Sequence, residues 1–317
     1  LPEDAQGNLY FSLNLGFWSP EWWHGISRAP YRGWIMKMAP DGTVSPVAPG
    51  VRSPCGLGMN AAGDLFYTDN QGEWCGAGKL SILKPGEFHG HPHGLASCKK
   101  EEWVYTAVEN VPDGKLFPEV AKEIPELRLP AVWFPYDKMG RSPAGMAWDM
   151  SKGAFGPFAG QLFVTDQYEA SVMRVSLEKV QGHWQGACYP FREGLGTGLL
   201  AVQFSPEGYL VAGGTNRGWP VRGSRSFILE RVEWSGKTPF EIKRVNIRPL
   251  ILLMTVVSTS APPMRPAVLM PNTVTRENRE GRSACRNITQ RSVMPLALAI
   301  WMKSSCSVVM RSVRSNL

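Results

Sequence analysis

Three arginines stand beside predicted turns at strand ends, where a charged side chain could bind a small ligand. Arg52 and Arg141 each precede a Ser-Pro dipeptide, and Arg217 lies in the segment Thr-Asn-Arg-Gly-Trp. A guanidinium group can bind a carboxylate through two parallel hydrogen bonds, so these residues could hold an anionic ligand. The alternative is that an arginine before Ser-Pro stabilises a junction between structural units by bonding backbone carbonyls. Because the motif recurs, the sequence favours that structural interpretation.

Two aspartates stand at the ends of predicted strands. Asp69 and Asp166 each follow a threonine, and both are expected to face the centre of the fold. Carboxylates there, with amide and backbone oxygens, would suit calcium, which takes about six to eight oxygen ligands. An aspartate can instead cap a strand through an Asx-type turn. Both interpretations are open for Asp69, whereas the turn is favoured for Asp166.

Three histidines alternate through a loop that is rich in glycine and proline: His89, His91 and His93. In an extended backbone their imidazoles would lie on one side, which would suit zinc or copper. Gly90 and Pro92 argue against a regular strand, so a turn is favoured over a metal site.

Tryptophans and cysteines each have a structural and a functional interpretation. Trp18, Trp22 and Trp23 either fill space between structural units or form a platform on which a sugar could stack. Four cysteines could form disulfides in an oxidising compartment, although their spacing identifies no pairs: Cys55, Cys75, Cys98 and Cys188.

A repeat indicates the elements that would position these residues. A turn glycine followed by a strand of alternating, largely apolar residues occurs at Gly7, Gly63, Gly160 and Gly208. The intervals of 56, 97 and 48 residues correspond to a unit of about 48, because the middle interval holds two units. Units of this length are typical of the four-stranded blades of β-propellers.

Two units match in more detail. Arg-Ser-Pro-x-Gly begins at Arg52 and again at Arg141, and each copy leads to a strand that ends in Thr-Asp. The second copy carries an insertion over residues 151–158 before its strand. The sequence therefore predicts an all-β fold of the β-propeller class, with about five blades in residues 1–245. A six-bladed parent, with a further blade N-terminal to Leu1, is the expectation.

The last part of the chain has a different composition. Residues 246–317 contain one of the 33 glycines and lack Asp, Phe, Tyr and His entirely. Neither a helical nor a strand periodicity persists there. We expect an aberrant segment, either a disordered basic tail or the product of a shifted reading frame.

The net charge of +7 comes from the same segment, which carries +8 and leaves −1 for residues 1–245. The body of the chain therefore gives no electrostatic argument for a nucleic-acid partner. The longest apolar run, residues 250–257, is too short to span a membrane.

A run of motifs resembles the quinoprotein glucose/sorbosone dehydrogenase family, a family of six-bladed propellers. It comprises the Arg-Ser-Pro-Cys-Gly turn at Arg52, the strand ending in Thr-Asp-Asn-Gln-Gly at residues 68–72, and the Gly-His-Pro turn at residues 90–92. Residues 155–164, 215–219 and 234–241 resemble the bacterial branch that is often fused to cytochrome c modules. The resemblance covers residues 1 to about 245.

This resemblance implies pyrroloquinoline quinone (PQQ) and calcium as cofactors and a sugar or alcohol as substrate. Arg52 matches the family's cofactor-contacting arginine, although Ser53 replaces the usual asparagine. The cofactor-binding residues predicted in this way, together with the recurrent arginines, are Arg52, Asn70, Gln71, Gly72, Arg141 and Arg217, and the predicted calcium ligand is Asp69.

The histidine base of the family belongs to a blade N-terminal to this chain, and His24 is not at an equivalent position, so no catalytic residue is assigned. No Cys-x-x-Cys-His motif for covalent haem occurs. The resemblance also implies a periplasmic or secreted location and a cytochrome c as electron acceptor.

Whether the chain is an enzyme stays open at this point. A non-catalytic propeller that binds a ligand or a protein is one alternative, because no base is visible. A calcium-dependent hydrolase of the lactonase type is another, but it would need a glutamate at the tip of an inner strand. Fold alone does not decide among these functions.

Overall fold

The computed structural model describes residues 1–15, 29–72, 74–99, 108 and 110–238, together with four strands farther along the chain. This part of the chain is almost entirely β-structure. It forms antiparallel sheets in which every strand up to Glu233 pairs with its neighbour in sequence. Such up-and-down sheets need only short turns between their strands, which agrees with the frequent glycines of residues 1–245.

Four sheets follow one another along the chain. The first contains β1 (Leu9–Leu13), β2 (Trp34–Met38) and β3 (Val44–Pro49), and the second contains β4 (Leu57–Met59), β5 (Leu65–Asp69), β6 (Lys79–Ile82) and β7 (Val132–Trp133). The third contains β8 (Pro143–Trp148), β9 (Leu162–Asp166), β10 (Ser171–Val180) and β11 (His183–Arg192). The fourth contains β12 (Leu199–Phe204), β13 (Leu210–Thr215) and β14 (Phe227–Glu233), joined at its edge by β18 (Arg311–Val313).

A long connection between β6 and β7 carries the described helices. A 3₁₀ helix spans Pro92–Lys99, and one short α-helix, α1, spans Phe117–Glu123. The α-helix begins at a Leu-Phe-Pro sequence, where proline has no amide hydrogen to leave unpaired. Its buried residue Val120 packs with Phe88, Ile124 and Leu127 in a small separate core.

The predicted repeat corresponds to one strand in each sheet. Each turn glycine lies two residues before the start of its strand, β1, β5, β9 or β13, and the φ angles of 81°, 82°, 76° and 84° are in the left-handed region that favours glycine. In the second to fourth sheets this strand is the second of the sheet. In the first sheet, Glu3 forms a bridge with Leu9 at the edge of β1 where a first strand would lie.

Apolar side chains fill the spaces between neighbouring sheets. Phe66 and Leu80 of the second sheet pack with Met146, Leu162 and Val164 of the third. Another cluster joins the first sheet to the second, and five phenylalanines form an aromatic cluster between the third and fourth: Phe155, Phe158, Phe163, Phe191 and Phe204. The core is therefore a series of layers between blades, and the prediction of an all-β propeller fold is confirmed.

The first strands β4, β8 and β12 lie side by side, and their backbones approach closely. The Thr68 hydroxyl accepts a hydrogen bond from the Gly56 amide at 3.0 Å and donates one to the Ala144 carbonyl at 2.8 Å. A β-carbon at Gly56 would collide with the same carbonyl, and one at Gly145 would collide with the Leu200 carbonyl. The glycine of the Arg-Ser-Pro-x-Gly motif is therefore required where one blade meets the next. We call the end of the sheets at which β4, β8 and β12 begin the upper end.

The chain divides into two compact units. Residues 1–234 with 310–317 form one, and residues 235–309 form the other. In the second unit β15 (Glu241–Arg248), β16 (Ile251–Val257) and β17 (Val268–Leu269) form an antiparallel sheet. The predicted change of character at residue 246 thus falls within β15, and the prediction of an aberrant segment concerns residues that lie mostly outside the described part. Within that part, no helix is long and apolar enough to cross a membrane.

We expect Thr68→Val to destabilise the protein by about 2–4 kcal/mol, because it leaves the buried Gly56 amide and Ala144 carbonyl without their shared partner. Urea unfolding followed by tryptophan fluorescence would measure this loss. Thr43→Val, at an exposed turn, is the matched control and should change stability by less than about 0.5 kcal/mol. Equal effects of the two substitutions would contradict the proposed role of Thr68.

Candidate active site at the upper end

The aspartate at the end of β5 holds the loop that enters β4. The Arg52 and Ser53 amides donate hydrogen bonds of 3.0 and 2.8 Å to the two carboxylate oxygens of Asp69. Lys79 Nζ lies 3.4 Å from Oδ2, and both side chains are buried. The carboxylate is thus bonded on both oxygens, and it neutralises a lysine that would otherwise be a lone buried charge.

The third sheet repeats this arrangement. Asp166 accepts hydrogen bonds from the Arg141 amide at 2.9 Å and from the Ser142 amide at 3.2 Å. Its Oδ1 also accepts from the Tyr168 and Glu169 amides, so that this aspartate forms the Asx-type turn favoured by the sequence. The repeated motif is therefore a structural joint. It works through the backbone amides of the arginine and the serine, which donate to the strand-end aspartate.

The residues around Asp69 do not fit a calcium ion in this arrangement. Calcium requires several oxygen ligands, whereas the atoms in contact with this carboxylate are two backbone N–H groups and an ammonium group. Among the described residues, no group of three or more His, Cys, Asp or Glu side chains is placed to hold a metal ion. Calcium binding by Asp69 stays a prediction from resemblance, without support from the partners of the carboxylate.

Because the joint holds the arginine backbones, their side chains emerge at the upper end. The Arg141 guanidinium lies 3.9 Å from the ring centre of Tyr168 and 5.0 Å from that of Tyr136. Gln71 Nε2 donates a hydrogen bond of 3.2 Å to the Tyr136 hydroxyl. This side-chain bond connects the loop after β5 to the segment that leads into β8.

Arg52 belongs to the same group of residues. Its side chain lies against Gly72, where a β-carbon would collide with the guanidinium group. We call Arg52, Gln71, Gly72, Tyr136, Arg141 and Tyr168 the upper cluster. All six are partly exposed, so a ligand can reach them. Four of the predicted cofactor-binding residues are therefore brought together, and two tyrosines join them.

Two asparagines near the cluster have unused hydrogen-bonding capacity. Asn70 Nδ2 donates to the Ser53 carbonyl at 3.1 Å, and Asn14 Nδ2 donates to the Ser53 hydroxyl at 3.4 Å. The Oδ1 atoms of both are buried without a hydrogen-bond partner in the described part of the chain. Buried acceptors of this kind are usually satisfied by water or a ligand. Asn70 was predicted from the resemblance, whereas Asn14 was not predicted.

Arg217 is placed differently from Arg52 and Arg141. It follows β13 and does not precede the first strand of a sheet, as Arg52 and Arg141 do, and its amide donates to the Thr215 hydroxyl at 3.1 Å. The residue lies on an exposed turn, and no described contact joins it to the upper cluster. Its assignment to a cofactor site therefore stays a sequence-based prediction.

The structure also places charged residues at the upper end that were not predicted from the sequence. Glu169 follows the Asp166 turn and pairs with Arg222, with 2.6 Å between Oε2 and Nη1. Burial raises the pKa of Glu169, and the positive charge of Arg222 opposes that rise. The Arg222 guanidinium lies 6.0 Å from the Tyr168 ring, on which Arg141 also stacks. No repeat or motif marks these residues.

The three alternating histidines do not form a metal site. The His89 ring packs edge-on against Tyr67 at 5.1 Å, whereas His91 and His93 contact one another at 4.9 Å. The extended segment ends at Pro92, where the 3₁₀ helix begins. The cysteines of the described residues are free thiols. His24 and the tryptophans at 18, 22 and 23 lie outside the described residues.

His89 is fully buried beside polar groups of the second sheet. Neither of its ring nitrogens has a hydrogen-bond partner in the described part of the chain. The buried Tyr67 hydroxyl also has no such partner there. Burial and the nearby positive charge of Lys79 lower the pKa of His89 to about 3. Burial and the charge of Asp69 raise the pKa of Tyr67 well above its usual value.

Comparison with known proteins adds three structural likenesses. A proposed oxidoreductase (glucose dehydrogenase) from Thermus thermophilus aligns with a TM-score of 0.47 and 22% identity, over 70% of this chain and 59% of the other. The PQQ-bound aldose sugar dehydrogenase of Streptomyces coelicolor aligns with a TM-score of 0.41 and 19% identity, over 63% and 52% of the two chains. The PQQ domain of pyranose dehydrogenase from Coprinopsis cinerea gives 0.37 and 14%, over 57% and 58%.

The chain therefore spans less than two thirds of each of these proteins. No protein-family model matches the sequence, and no curated protein matches it.

We expect acid to destabilise the protein through His89. Its folded-state pKa of about 3 lies below the value of 6.5 expected on unfolding, so the unfolded chain binds the extra proton between these values. The contribution of neutral His89 to the free energy of unfolding is complete above pH 6.5. Below that pH it falls by up to about 1.4 kcal/mol for each pH unit. Urea unfolding between pH 4 and 8 would measure the slope.

His89→Gln should flatten this part of the pH profile, whereas His183→Gln, at an exposed position, should leave it unchanged. Identical slopes for the wild type and His89→Gln would show that this imidazole does not stay neutral in the folded protein.

Proposed function

We propose that the upper cluster binds PQQ and that this chain is part of a sugar or alcohol dehydrogenase of the quinoprotein type. The observation that carries the proposal is the position of Arg141 between two tyrosine rings, tied through Tyr136 to Gln71 and hence to the loop beside Arg52. The cluster thus offers two guanidinium groups and two flat rings at one end of adjacent sheets.

The chemistry of the cluster suits the quinone. PQQ is a planar tricarboxylate, and guanidinium groups are the side chains best shaped to bind carboxylates through paired hydrogen bonds. Arg52 and Arg141 would hold its carboxylates, and Asn70 and Gln71 would contribute amide groups. Because Gly72 has no β-carbon, the Arg52 side chain can lie against its backbone. PQQ, when bound, supplies a two-electron acceptor for the oxidation of a sugar or alcohol carbon.

The residues of this chain would bind and orient the quinone, and they would exclude water with the help of the tyrosine rings. We assign no catalytic base, because the described part of the chain places no histidine in the upper cluster. The proposal further includes a periplasmic or secreted location and a cytochrome c as electron acceptor. Both rest on the sequence resemblance.

A non-catalytic ligand-binding propeller is the second candidate. It is favoured by the contacts of Asp69, whose oxygens bond to two amides and lie beside Lys79 instead of being available to a metal. In that case the upper cluster would bind an anionic aromatic molecule without oxidising a substrate. Reduction of an artificial electron acceptor in the presence of an aldose would distinguish the two candidates.

We expect the protein to bind PQQ and Arg141→Ala to weaken binding at least about tenfold, because it removes a charged hydrogen-bond donor from the tyrosine pair. Quenching of tryptophan fluorescence during a titration with PQQ would measure affinity. Arg231→Ala is the matched control, since Arg231 also stacks on a tyrosine, at 4.7 Å from the Tyr209 ring, but at the opposite end of its sheet.

The control variant should bind PQQ as the wild type does. Absence of PQQ binding, or equal affinity in Arg141→Ala and the wild type, would refute the proposed site.

A further inference from the structure

A cleft of about 820 Å³ opens between the third and fourth sheets at the upper end. Its walls come from the start of β10, the end of β11 and the segments 193–196 and 222–225, with residues 137–139 at one side. The volume is in the range of pockets that bind small molecules. Arg222, which borders the cleft, lies 6.0 Å from the ring centre of Tyr168, the ring on which Arg141 stacks at 3.9 Å.

Two of the cations that line the cleft have carboxylate partners. Arg222 pairs with Glu169 at 2.6 Å, and Arg225 lies 3.9 Å from Glu230. Both glutamate side chains are nearly buried, with 11% and 8% of their surface exposed, whereas the two arginines are at least half exposed. Glu230 also accepts a hydrogen bond of 3.3 Å from the Gly196 amide. The inner carboxylates are therefore already neutralised.

Arg192, at the end of β11, lacks such a partner. Its Nε is buried and has no hydrogen-bond partner, and no ion pair joins its guanidinium to a carboxylate among the described residues. A buried N–H donor without an acceptor is unfavourable, and on a guanidinium group an anion is the acceptor that forms the stronger hydrogen bond. Arg192 is partly exposed on the wall of the cleft, so an anionic ligand in the cleft could accept a hydrogen bond from it.

We propose that this cleft binds a small hydroxylated carboxylate, such as a sugar acid, with Arg192 holding the carboxylate. A hydroxyl group both donates and accepts hydrogen bonds, so a polyhydroxylated ligand needs both kinds of partner. The paired glutamates and arginines supply acceptors and donors side by side, and Ser171 and Ser224 add hydroxyl groups. A hydroxyl-free anion would satisfy Arg192 alone and leave these groups unused.

No residue of the upper cluster lines this cleft, and the proposed ligand does not require a quinone. Experiments can therefore disprove ligand binding in the cleft without disproving PQQ binding by the upper cluster, and the reverse. Arg141→Ala should leave binding in the cleft unchanged, and Arg192→Gln should leave PQQ binding unchanged.

The test compares two probes that differ in one group, D-glucuronate and D-glucose, by isothermal titration calorimetry. We expect glucuronate to bind at least about tenfold more tightly than glucose and more tightly than sulfate, because only glucuronate has both the carboxylate and the hydroxyls. Arg192→Gln should lower the affinity for glucuronate at least about tenfold, while Arg231→Gln should not change it.

A second measurement does not depend on a folded variant. In the wild-type protein, glucuronate should protect Arg192 from modification by phenylglyoxal, as measured by peptide mass spectrometry, whereas glucose should not. Equal affinity for the two sugars, unchanged affinity in a folded Arg192→Gln variant, or absence of protection would each overturn the proposal.

Discussion

The hydrogen bonds from two successive amides to one strand-end carboxylate are the interaction on which the upper end of this molecule depends. At Asp69 and at Asp166 the carboxylate fixes the loop that enters the inner strand of its own sheet. Bonds from amides to an ionised carboxylate are stronger than those between neutral groups. They hold the backbone of Arg52 and of Arg141 through main-chain amides, so these bonds do not involve either guanidinium group.

A second constraint is the close approach of the inner strands. Thr68 bonds both to its own sheet and to the next, and Gly56 allows that approach because it has no β-carbon. The bonds to Asp69 fix the loop before β4 to its own sheet, and the Thr68 bond to Ala144 fixes that sheet to the next one. The upper cluster can therefore combine residues from two sheets, and the cleft at Arg192 lies where the third sheet meets the fourth.

Much of the architecture could be predicted from the sequence, because a propeller repeats its local chemistry. The turn glycines, the alternating strands and the recurrence of Arg-Ser-Pro-x-Gly with Thr-Asp each correspond to a structural requirement, and all occur where expected. The same recurrence favoured a structural role for the motif, and its backbone amides do bond to a strand-end aspartate in both copies. It did not reveal how the motif works, because the acceptor of the arginine amide lies 17 residues away at Asp69 and was itself interpreted as a calcium ligand.

The site could be predicted only in part. Gln71 and Arg52 were expected, but Tyr136, Tyr168 and Asn14 occur in segments that do not repeat. Their roles depend on how two sheets pack against one another. Arg192 and its neighbours show the same limitation, since an unpaired guanidinium group is recognisable only when its surroundings are known.

The most direct test of this account is the stability of wild type and Asp69→Ala, each measured by urea unfolding in excess calcium chloride and in a chelator. If Asp69 joins the backbone and neutralises Lys79, the substitution should cost about 3–5 kcal/mol, and calcium should change the stability of both proteins equally. A stabilisation by calcium that is present in the wild type and lost in Asp69→Ala would contradict the account, because it would show that the carboxylate binds a metal ion.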